Sequence, residues 1–180
     1  MNGRTLVTGF GPFQSVQDNP SATLARRCER PFQIIDVSFD TAEDFIFHLD
    51  PDSFDRLLMI GVAAARTEMT PELFARNTYG AMQDVNGKTR SGAIVTGGPL
   101  LLQSTLWDDS TLAELLSTHL GSLRTSLNAG NYLCNFTLYK ALQAFPSKRV
   151  GFLHVPAPEK LDIERQQRIL ADILQMIESE

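Results

Sequence analysis

The sequence predicts a layered α/β fold built on a mostly parallel sheet. Two apolar runs of strand length, Arg56–Val62 and Arg149–Val155, lack the alternation of a half-exposed strand, which indicates burial on both faces. Short apolar runs alternate with segments of helical periodicity along the chain, and that alternation favours parallel strands. No repeat, linker or block of charge divides the 180 residues, so we expect a single domain over residues 1–180.

The first predicted element is a buried strand at residues 5–9, after a polar start. A helix is expected to begin at Asn19-Pro20-Ser21, because asparagine can cap free backbone N–H groups and proline fits the first helical position. This helix is predicted to run to about Cys28, and a second strand to cover residues 32–39.

The middle of the chain carries weaker signals. Thr41-Ala-Glu-Asp44 resembles a capping box before a short helix, and the apolar run Arg56–Val62 is the next strand. Residues 72–77 alternate weakly between apolar and polar and form a candidate strand. Residues 78–92 contain Gly, Asn and Asp and are predicted to form a long functional loop, followed by a candidate short strand at 92–97.

The last part of the chain returns to clear periodicity. Ser110 is predicted to cap a helix that Gly121 ends, and residues 124–127 are a candidate short strand. Residues 131–145 are predicted to form the helix that leads to the second apolar run. Residues 161–177 place apolar side chains at helical spacing with charges opposite, which indicates an amphipathic helix.

Composition narrows the function classes. The net charge of −5 and pI near 5.2 argue against a nucleic-acid partner or an anionic membrane surface. No apolar run approaches the length of a membrane span, and the N-terminus shows no signal peptide. Two cysteines do not form a disulfide framework, so we expect a protein of the reducing cytoplasm.

Cys134 is the first candidate for chemistry. It falls in the first turn of a predicted helix, directly after an Ala-Gly turn. A helix N-terminus stabilises an anion, so we expect this position to lower the thiol pKa from about 8.5 towards 7. Leu138, Ala141 and Leu142 follow at helical spacing, so the alternative is a small apolar core residue.

His154 lies near the end of the predicted strand Arg149–Val155. Ligands of open α/β sheets bind at the carboxyl ends of the strands, which is where a catalytic base would lie. The alternative is a histidine that merely donates to a backbone carbonyl. If the strand before the Cys134 helix pairs with the strand that ends near His154, the two side chains are neighbours. That arrangement suits Cys–His catalysis.

A third group would have to orient the imidazole. The candidate carboxylates are Glu68, Glu72, Asp84 and Asp40. Glu72 is preferred because it starts a possible strand after the turn that follows Gly61, although an ordinary solvated glutamate remains the alternative.

The segment Gly9-Phe10-Gly11-Pro12-Phe13 follows the first strand. It matches neither a P-loop nor a dinucleotide-binding pattern, and its two phenylalanines would clamp a small ring better than an anion. The alternative is that both rings fold back onto the core. No metal-ligand spacing occurs among the three histidines and two cysteines, so we expect no metal and no other cofactor.

Five motifs together resemble the pyroglutamyl peptidase I family of cysteine exopeptidases. They occur in the family's order and spacing: Val7-Thr-Gly-Phe-Gly-Pro-Phe13 with Asn19-Pro-Ser21; Gly61-Val-Ala-Ala-Ala-Arg66 with Glu72 and Asn77; Gly98-Pro99 with Ser104-Thr-Leu106; Ala129-Gly-Asn-Tyr-Leu-Cys-Asn135; and His154-Val-Pro156. The resemblance covers most of the chain. It implies a three-layer α/β/α sandwich with a mostly parallel, mixed central sheet.

The resemblance also implies residue roles and a reaction. Cys134 matches the nucleophile, His154 the base and Glu72 the orienting acid of a Cys-His-Glu triad. Phe10 and Phe13 match aromatic residues that enclose the pyrrolidone ring, and Asn19 matches a polar residue near the lactam. The implied activity is hydrolysis of the amide after an N-terminal pyroglutamyl residue, without a cofactor. Members of this family often self-associate, so a homo-oligomer is one expectation.

The sequence departs from the family in the shell around the triad. Met82 aligns with a family arginine implicated in supporting the oxyanion, and Arg66 and Arg76 are the nearby cations that could replace it. Val62 stands where many members have Gln, and Ala64-Ala65 replaces a double glycine. Two alternatives follow: a divergent member that cleaves another small amide or acyl substrate, and a non-catalytic homologue that binds a small ligand.

Overall fold

The computed structural model describes residues 3–13 and 16–179. The strands are β1 (Thr5–Phe10), β2 (Phe32–Ile35), β3 (Arg56–Val62), β4 (Thr70–Glu72), β5 (Phe74–Arg76), β6 (Leu101–Gln103) and β7 (Arg149–Val155). The helices are α1 (Pro20–Arg27), α2 (Phe39–His48), α3 (Asp109–Thr118), α4 (Leu133–Ala144) and α5 (Ile163–Glu178), with a 3₁₀ turn at Pro51–Ser53.

The central sheet has five strands in the order β2-β1-β3-β7-β4. The first four are parallel, and β4 adds an antiparallel edge through Thr70 opposite His154 and Glu72 opposite Phe152. Strands β5 and β6 form a separate antiparallel pair. The predicted mostly parallel, mixed sheet is therefore confirmed.

Helices cover both faces of this sheet. On β3, Leu57 and Met59 pack into one apolar cluster with residues of α2 and α4, while Leu58 and Ile60 pack into the other with residues of α1, α3 and α5. Successive side chains of a strand point to opposite faces, so a strand with a core on each side must be apolar throughout. This accounts for the unbroken apolar run and confirms the three-layer arrangement.

Local capping sets the helix starts. Asn19 caps α1 by accepting a hydrogen bond from the Ser21 backbone N–H, and Pro20 is the first helical residue, as predicted. The predicted strand over residues 32–39 is too long, because Ser38 caps α2 and the helix already begins at Phe39. Helix α3 likewise is capped by Asp108 rather than by Ser110.

The middle segment differs most from expectation. Residues 92–97 are not a strand, and the strand that pairs with β5 is Leu101–Gln103. The side-chain amide of Asn77 holds this segment in place of strand–strand hydrogen bonds. It donates to the carbonyls of Val95 and Gly98 and accepts from the Val95 N–H. Residues 124–127 likewise form no strand and contribute a single bridge, Glu72 to Ser126, which lays the segment beside β4.

Candidate active site

Strand pairing brings the two candidate residues Cys134 and His154 to one place. Gly61 on β3 lies opposite His154 on β7, and neighbouring strands are about 4.7–4.9 Å apart. A Cβ atom built at Gly61 would lie 2.9 Å from Cys134 Sγ, so the thiol rests directly over the glycine. Helix α4 therefore places its first turn, with Cys134, over the β3 residue that pairs with His154.

The thiol of Cys134 is not poised as an anion. It lies in the first turn of α4, as predicted, and the side chain is partly buried. Burial raises the pKa of the Cys134 thiol to about 12, and the negative charge of Glu72 adds to that rise. Our expectation that the helix start would lower this pKa is wrong, because the loss of solvent outweighs the backbone N–H contribution. The thiol is neutral at rest and needs a base.

His154 and Glu72 form a buried pair. The Nδ1 atom of His154 lies 2.7 Å from Glu72 Oε1, and the Glu72 side chain has no exposed surface. A carboxylate can only accept here, so Nδ1 carries the proton and Nε2 is left free to accept one. Burial lowers the pKa of His154 even though the Glu72 charge opposes this, so the imidazole is neutral at rest.

Glu72 stays ionised in this buried setting. Burial raises its pKa, but the hydrogen bond with His154 and the positive charge of Arg66 lower it, and the net direction is downward. An ionised carboxylate at this place favours an imidazolium during reaction.

Of the four carboxylates considered, Glu72 contacts the imidazole. The others are engaged elsewhere in the described part of the chain: Glu68 with Arg124, Asp40 with Lys88 and Arg90, and Asp84 with the backbone N–H groups of Phe39, Asn86 and Lys88. The Asp84 contacts show a carboxylate that anchors a loop rather than one that orients a histidine.

A narrow apolar cavity of about 50 Å³ opens at the thiol. Its lining includes Phe10, Phe13, Asn19 and Cys134, which the sequence analysis had selected. It also includes four further residues, Val37, Val62, Tyr132 and Leu133. Tyr132 and Leu133 directly precede Cys134, so their position in the motif was the available signal, whereas nothing in the sequence pointed to Val37.

Two of the selected lining residues, Phe10 and Asn19, also have structural contacts outside the cavity. Phe10 is almost fully buried and packs against Phe152 at a ring distance of 6.4 Å, so it belongs to the core as well as to the cavity wall. The Asn19 amide donates to the Gly11 carbonyl and accepts from Ser21, so its polar atoms hold the Phe-containing loop against α1.

Met82 and Arg66, two residues considered in connection with the oxyanion, are placed differently from expectation. Met82, aligned with the family arginine, is 43% exposed and is not among the residues that line the cavity. Arg66 does not point at the cavity either: its Nη1 atom lies 2.6 Å from Glu72 Oε1. Arg66 therefore forms an ion pair that its position in the sequence did not indicate, instead of supplying a replacement cation at the cavity.

Neither a metal-binding cluster nor a membrane-spanning helix is found among the described residues. Across residues 3–13 and 16–179, no group of three His, Cys, Asp or Glu side chains could hold a metal ion. In the same part of the chain, every helix is too short or too polar to cross a lipid bilayer.

Comparison with known proteins identifies the family. A family model for pyroglutamyl peptidase matches residues 3–172. A pyrrolidone-carboxylate peptidase of Halalkalibacterium halodurans is 30% identical over 179 residues, covering 89% of this chain and 87% of the relative.

Solved structures agree with this assignment. A variant pyrrolidone carboxyl peptidase of Pyrococcus furiosus superposes with a TM-score of 0.86 at 25% identity, covering 97% of each chain. The pyroglutamyl peptidase I of Bacillus amyloliquefaciens shares the fold, with a TM-score of 0.89 at 22% identity over 99% of this chain and 98% of that one. The family model spans most of the chain and its relatives share both sequence and fold, so this chain belongs to the pyroglutamyl peptidase family.

Proposed function

We propose that this chain is a cysteine exopeptidase that removes an N-terminal pyroglutamyl residue from peptides. The observation that carries the proposal is the position of Cys134, which lines a narrow apolar cavity together with Phe10 and Phe13 and whose thiol rests over Gly61, the residue of β3 that pairs with His154 on β7. A flat, uncharged lactam ring suits a cavity with apolar walls.

The reaction begins with a neutral thiol and a neutral imidazole. His154 Nε2 takes the proton from Cys134 Sγ as the sulfur attacks the pyroglutamyl carbonyl, and the carbonyl π electrons move onto oxygen. Glu72 stabilises the resulting imidazolium through Nδ1. Backbone N–H groups in the first turn of α4 have no partner within the helix, so they can donate to the oxyanion.

The tetrahedral intermediate then collapses. The C–N bond breaks, His154 gives its proton to the leaving amine, and a thioester to Cys134 remains. Water, deprotonated by His154, attacks this thioester, and breaking the C–S bond releases pyroglutamate and restores the thiol. Every proton in this cycle moves through His154, and no metal or organic cofactor enters a step.

The test is hydrolysis of a pyroglutamyl-linked fluorogenic amide by the purified protein, with Cys134→Ala as the blank. We expect turnover by the wild type that the substitution abolishes. Absence of turnover from a folded protein, or equal turnover by Cys134→Ala, would overturn the proposal.

A second candidate substrate class rests on Val62. This apolar side chain lines the cavity at the position where many relatives have Gln, and Met82 supplies no charge. The same triad would then cleave another small cyclic or acyl amide. A panel of acyl amides with the same fluorogenic leaving group separates the two, since a preference for a non-pyroglutamyl acyl group identifies the divergent case.

We place this activity in the cytoplasm, on peptides rather than on nucleic acid or membranes. Both cysteines are free thiols, and a reducing compartment keeps a nucleophilic thiol active. The acidic net charge of −5 disfavours binding to polyanions. Self-association of the chain is a further expectation from the family resemblance, and sedimentation of the purified protein measures it.

A further inference from the structure

We propose that Arg66 is a positioning residue, which holds Glu72 against His154 and fastens the segment that leads to the nucleophile helix. The inference rests on the proposed function, and it adds a fourth member to the triad machinery. Arg66 Nη1 lies 2.6 Å from Glu72 Oε1, the same oxygen that lies 2.7 Å from His154 Nδ1. The carboxylate oxygen is thus shared between a fixed cation and the base.

The strand that carries Glu72 needs such support. Strand β4 has three residues and lies at the sheet edge, where β7 is its strand partner and the segment at Ser126 adds an isolated bridge to Glu72. Backbone pairing over three residues fixes the strand but leaves the Glu72 side chain free to turn. Arg66 removes that freedom, because its Nη1 also donates to Thr70 Oγ1 on the same strand. Two contacts on β4 set the direction of the carboxylate.

The other end of the guanidinium reaches a different element. Arg66 Nη2 donates to the Asn128 carbonyl at 3.1 Å and to Ser126 Oγ at 3.4 Å. Asn128 in turn accepts from the Gly130 N–H through its side chain, just before α4 begins. A planar guanidinium with five donors can bridge a carboxylate and a carbonyl in this way, whereas an ammonium offers a single point of charge.

The charge of Arg66 also matters for the resting state. Glu72 is fully buried, and its partner His154 is neutral at rest, so the pair alone would carry an uncompensated negative charge. Arg66 compensates that charge. The same positive charge disfavours protonation of His154, which keeps the base in its accepting form.

These effects of the Arg66 charge change the pH dependence of activity, which the loss of a merely structural residue would leave unchanged. The charged groups acting on His154 are Glu72 on β4 and Arg66 in the turn after β3, while Cys134 on α4 is neutral. Loss of the Arg66 charge raises the pKa of both Glu72 and His154. Activity requires ionised Glu72 and neutral His154, so both changes move the acid limb of the pH–rate profile to higher pH.

The experiment compares Arg66→Gln, Arg66→Lys and the control Arg124→Gln. Arg124 forms an ion pair with Glu68 at 3.0 Å, and its side chain is 62% exposed, so its loss removes a similar charge away from the triad. We expect Arg66→Gln to lower kcat by about tenfold or more at nearly constant KM and to shift the acid limb upward by about half a pH unit or more. We expect Arg66→Lys to return the acid limb to its wild-type position and to restore only part of kcat. Arg124→Gln should behave as the wild type.

A second readout does not depend on the substrate. The chain has three histidines, so the His154 imidazole can be assigned by substitution and titrated by NMR. We expect its pKa to rise in Arg66→Gln and to stay low in Arg66→Lys and Arg124→Gln. If pyroglutamyl amides are not hydrolysed but this pattern holds, the substrate assignment fails and the role of Arg66 stands. Unchanged His154 titration in Arg66→Gln, or an acid limb identical to that of Arg124→Gln, would overturn the inference.

Discussion

Gly61 pairs in register with His154, and its missing side chain leaves the space in which Cys134 Sγ lies. A Cβ atom at Gly61 would approach Sγ to 2.9 Å and the Phe152 ring to 2.7 Å, and real Cβ atoms essentially never come so close. The strand glycine is therefore part of the site, since it sets how near the nucleophile helix comes to the base.

Gly61→Ala should displace the thiol and lower kcat. The matched control is Gly151→Ala, whose Cβ would meet Leu106 Cβ at 2.7 Å in the core cluster on the other side of the sheet. Both variants should lose thermal stability by a comparable amount, because both force an atom into a packed core. Only Gly61→Ala should slow turnover of the folded enzyme and change the alkylation rate of Cys134. Equal kcat loss in the two variants would show that stability alone is responsible.

Alkylation should single out Cys134 and should accelerate with pH. Cys28 is buried, and its Sγ lies 3.0 Å from the Ala25 carbonyl, whereas Cys134 is only partly buried. Burial raises the pKa of Cys134 to about 12, so the thiolate fraction, and with it the rate with iodoacetamide, should grow about tenfold per pH unit above neutrality. Loss of activity should follow labelling of Cys134, read by peptide mass. Preferential labelling of Cys28 with activity intact would contradict the nucleophile assignment.

Substitutions of the base and of its carboxylate should act as parts of one unit with Cys134. His154→Ala should lose nearly as much rate as Cys134→Ala, and the double variant should lose little more. Glu72→Gln keeps the size and a hydrogen bond but removes the charge that favours imidazolium, so a smaller loss of kcat is expected at similar KM. Asp84→Asn is the comparison: its carboxylate holds backbone N–H groups, so stability should fall while kcat of the folded enzyme changes little. An unchanged rate for Glu72→Gln would mean that another group orients His154.

Met82→Arg should raise kcat for a pyroglutamyl amide by about tenfold or more, with KM nearly unchanged. The adjacent Gln83 carbonyl accepts a hydrogen bond at 2.8 Å from Tyr132, which lines the cavity, so an arginine at 82 starts close to the site. Met82 is 43% exposed, and the substitution should therefore leave thermal stability unchanged. Met82→Gln is the uncharged control and should give no gain. A fast wild-type enzyme that Met82→Arg does not accelerate would show that the missing arginine is not needed in this chain.

Local chemistry was sufficient to predict some elements closely. The strands Arg56–Val62 and Arg149–Val155 begin and end where the sequence predicts, because an unbroken apolar run can be buried on both faces only within a covered sheet. Helix α1 begins as predicted, since the asparagine cap and the proline that follows it act within three residues. In these cases each signal and the structure it specifies lie in the same few residues.

Weak or competing local signals predicted other elements less accurately. The sequence offered Thr41 and Ser110 as caps, yet Ser38 and Asp108 serve, because several residues in each segment can cap and packing of the helix decides among them. Residues 92–97 look strand-like but form no strand, and β5 pairs with Leu101–Gln103.

The candidate active site also has features that the local sequence predicts and features that depend on the tertiary structure. The sequence by itself pointed to four of the residues that line the cavity, Phe10, Phe13, Asn19 and Cys134, because the Phe-containing loop, the helix cap and the motif around Cys134 are local patterns. Only the tertiary structure decided which carboxylate meets His154, because Glu72 is 82 residues away along the chain and four acids were candidates. It also decided the state of the thiol and the partner of Arg66. Burial and ion pairing depend on what surrounds a group in space, and residues distant in sequence supply those surroundings.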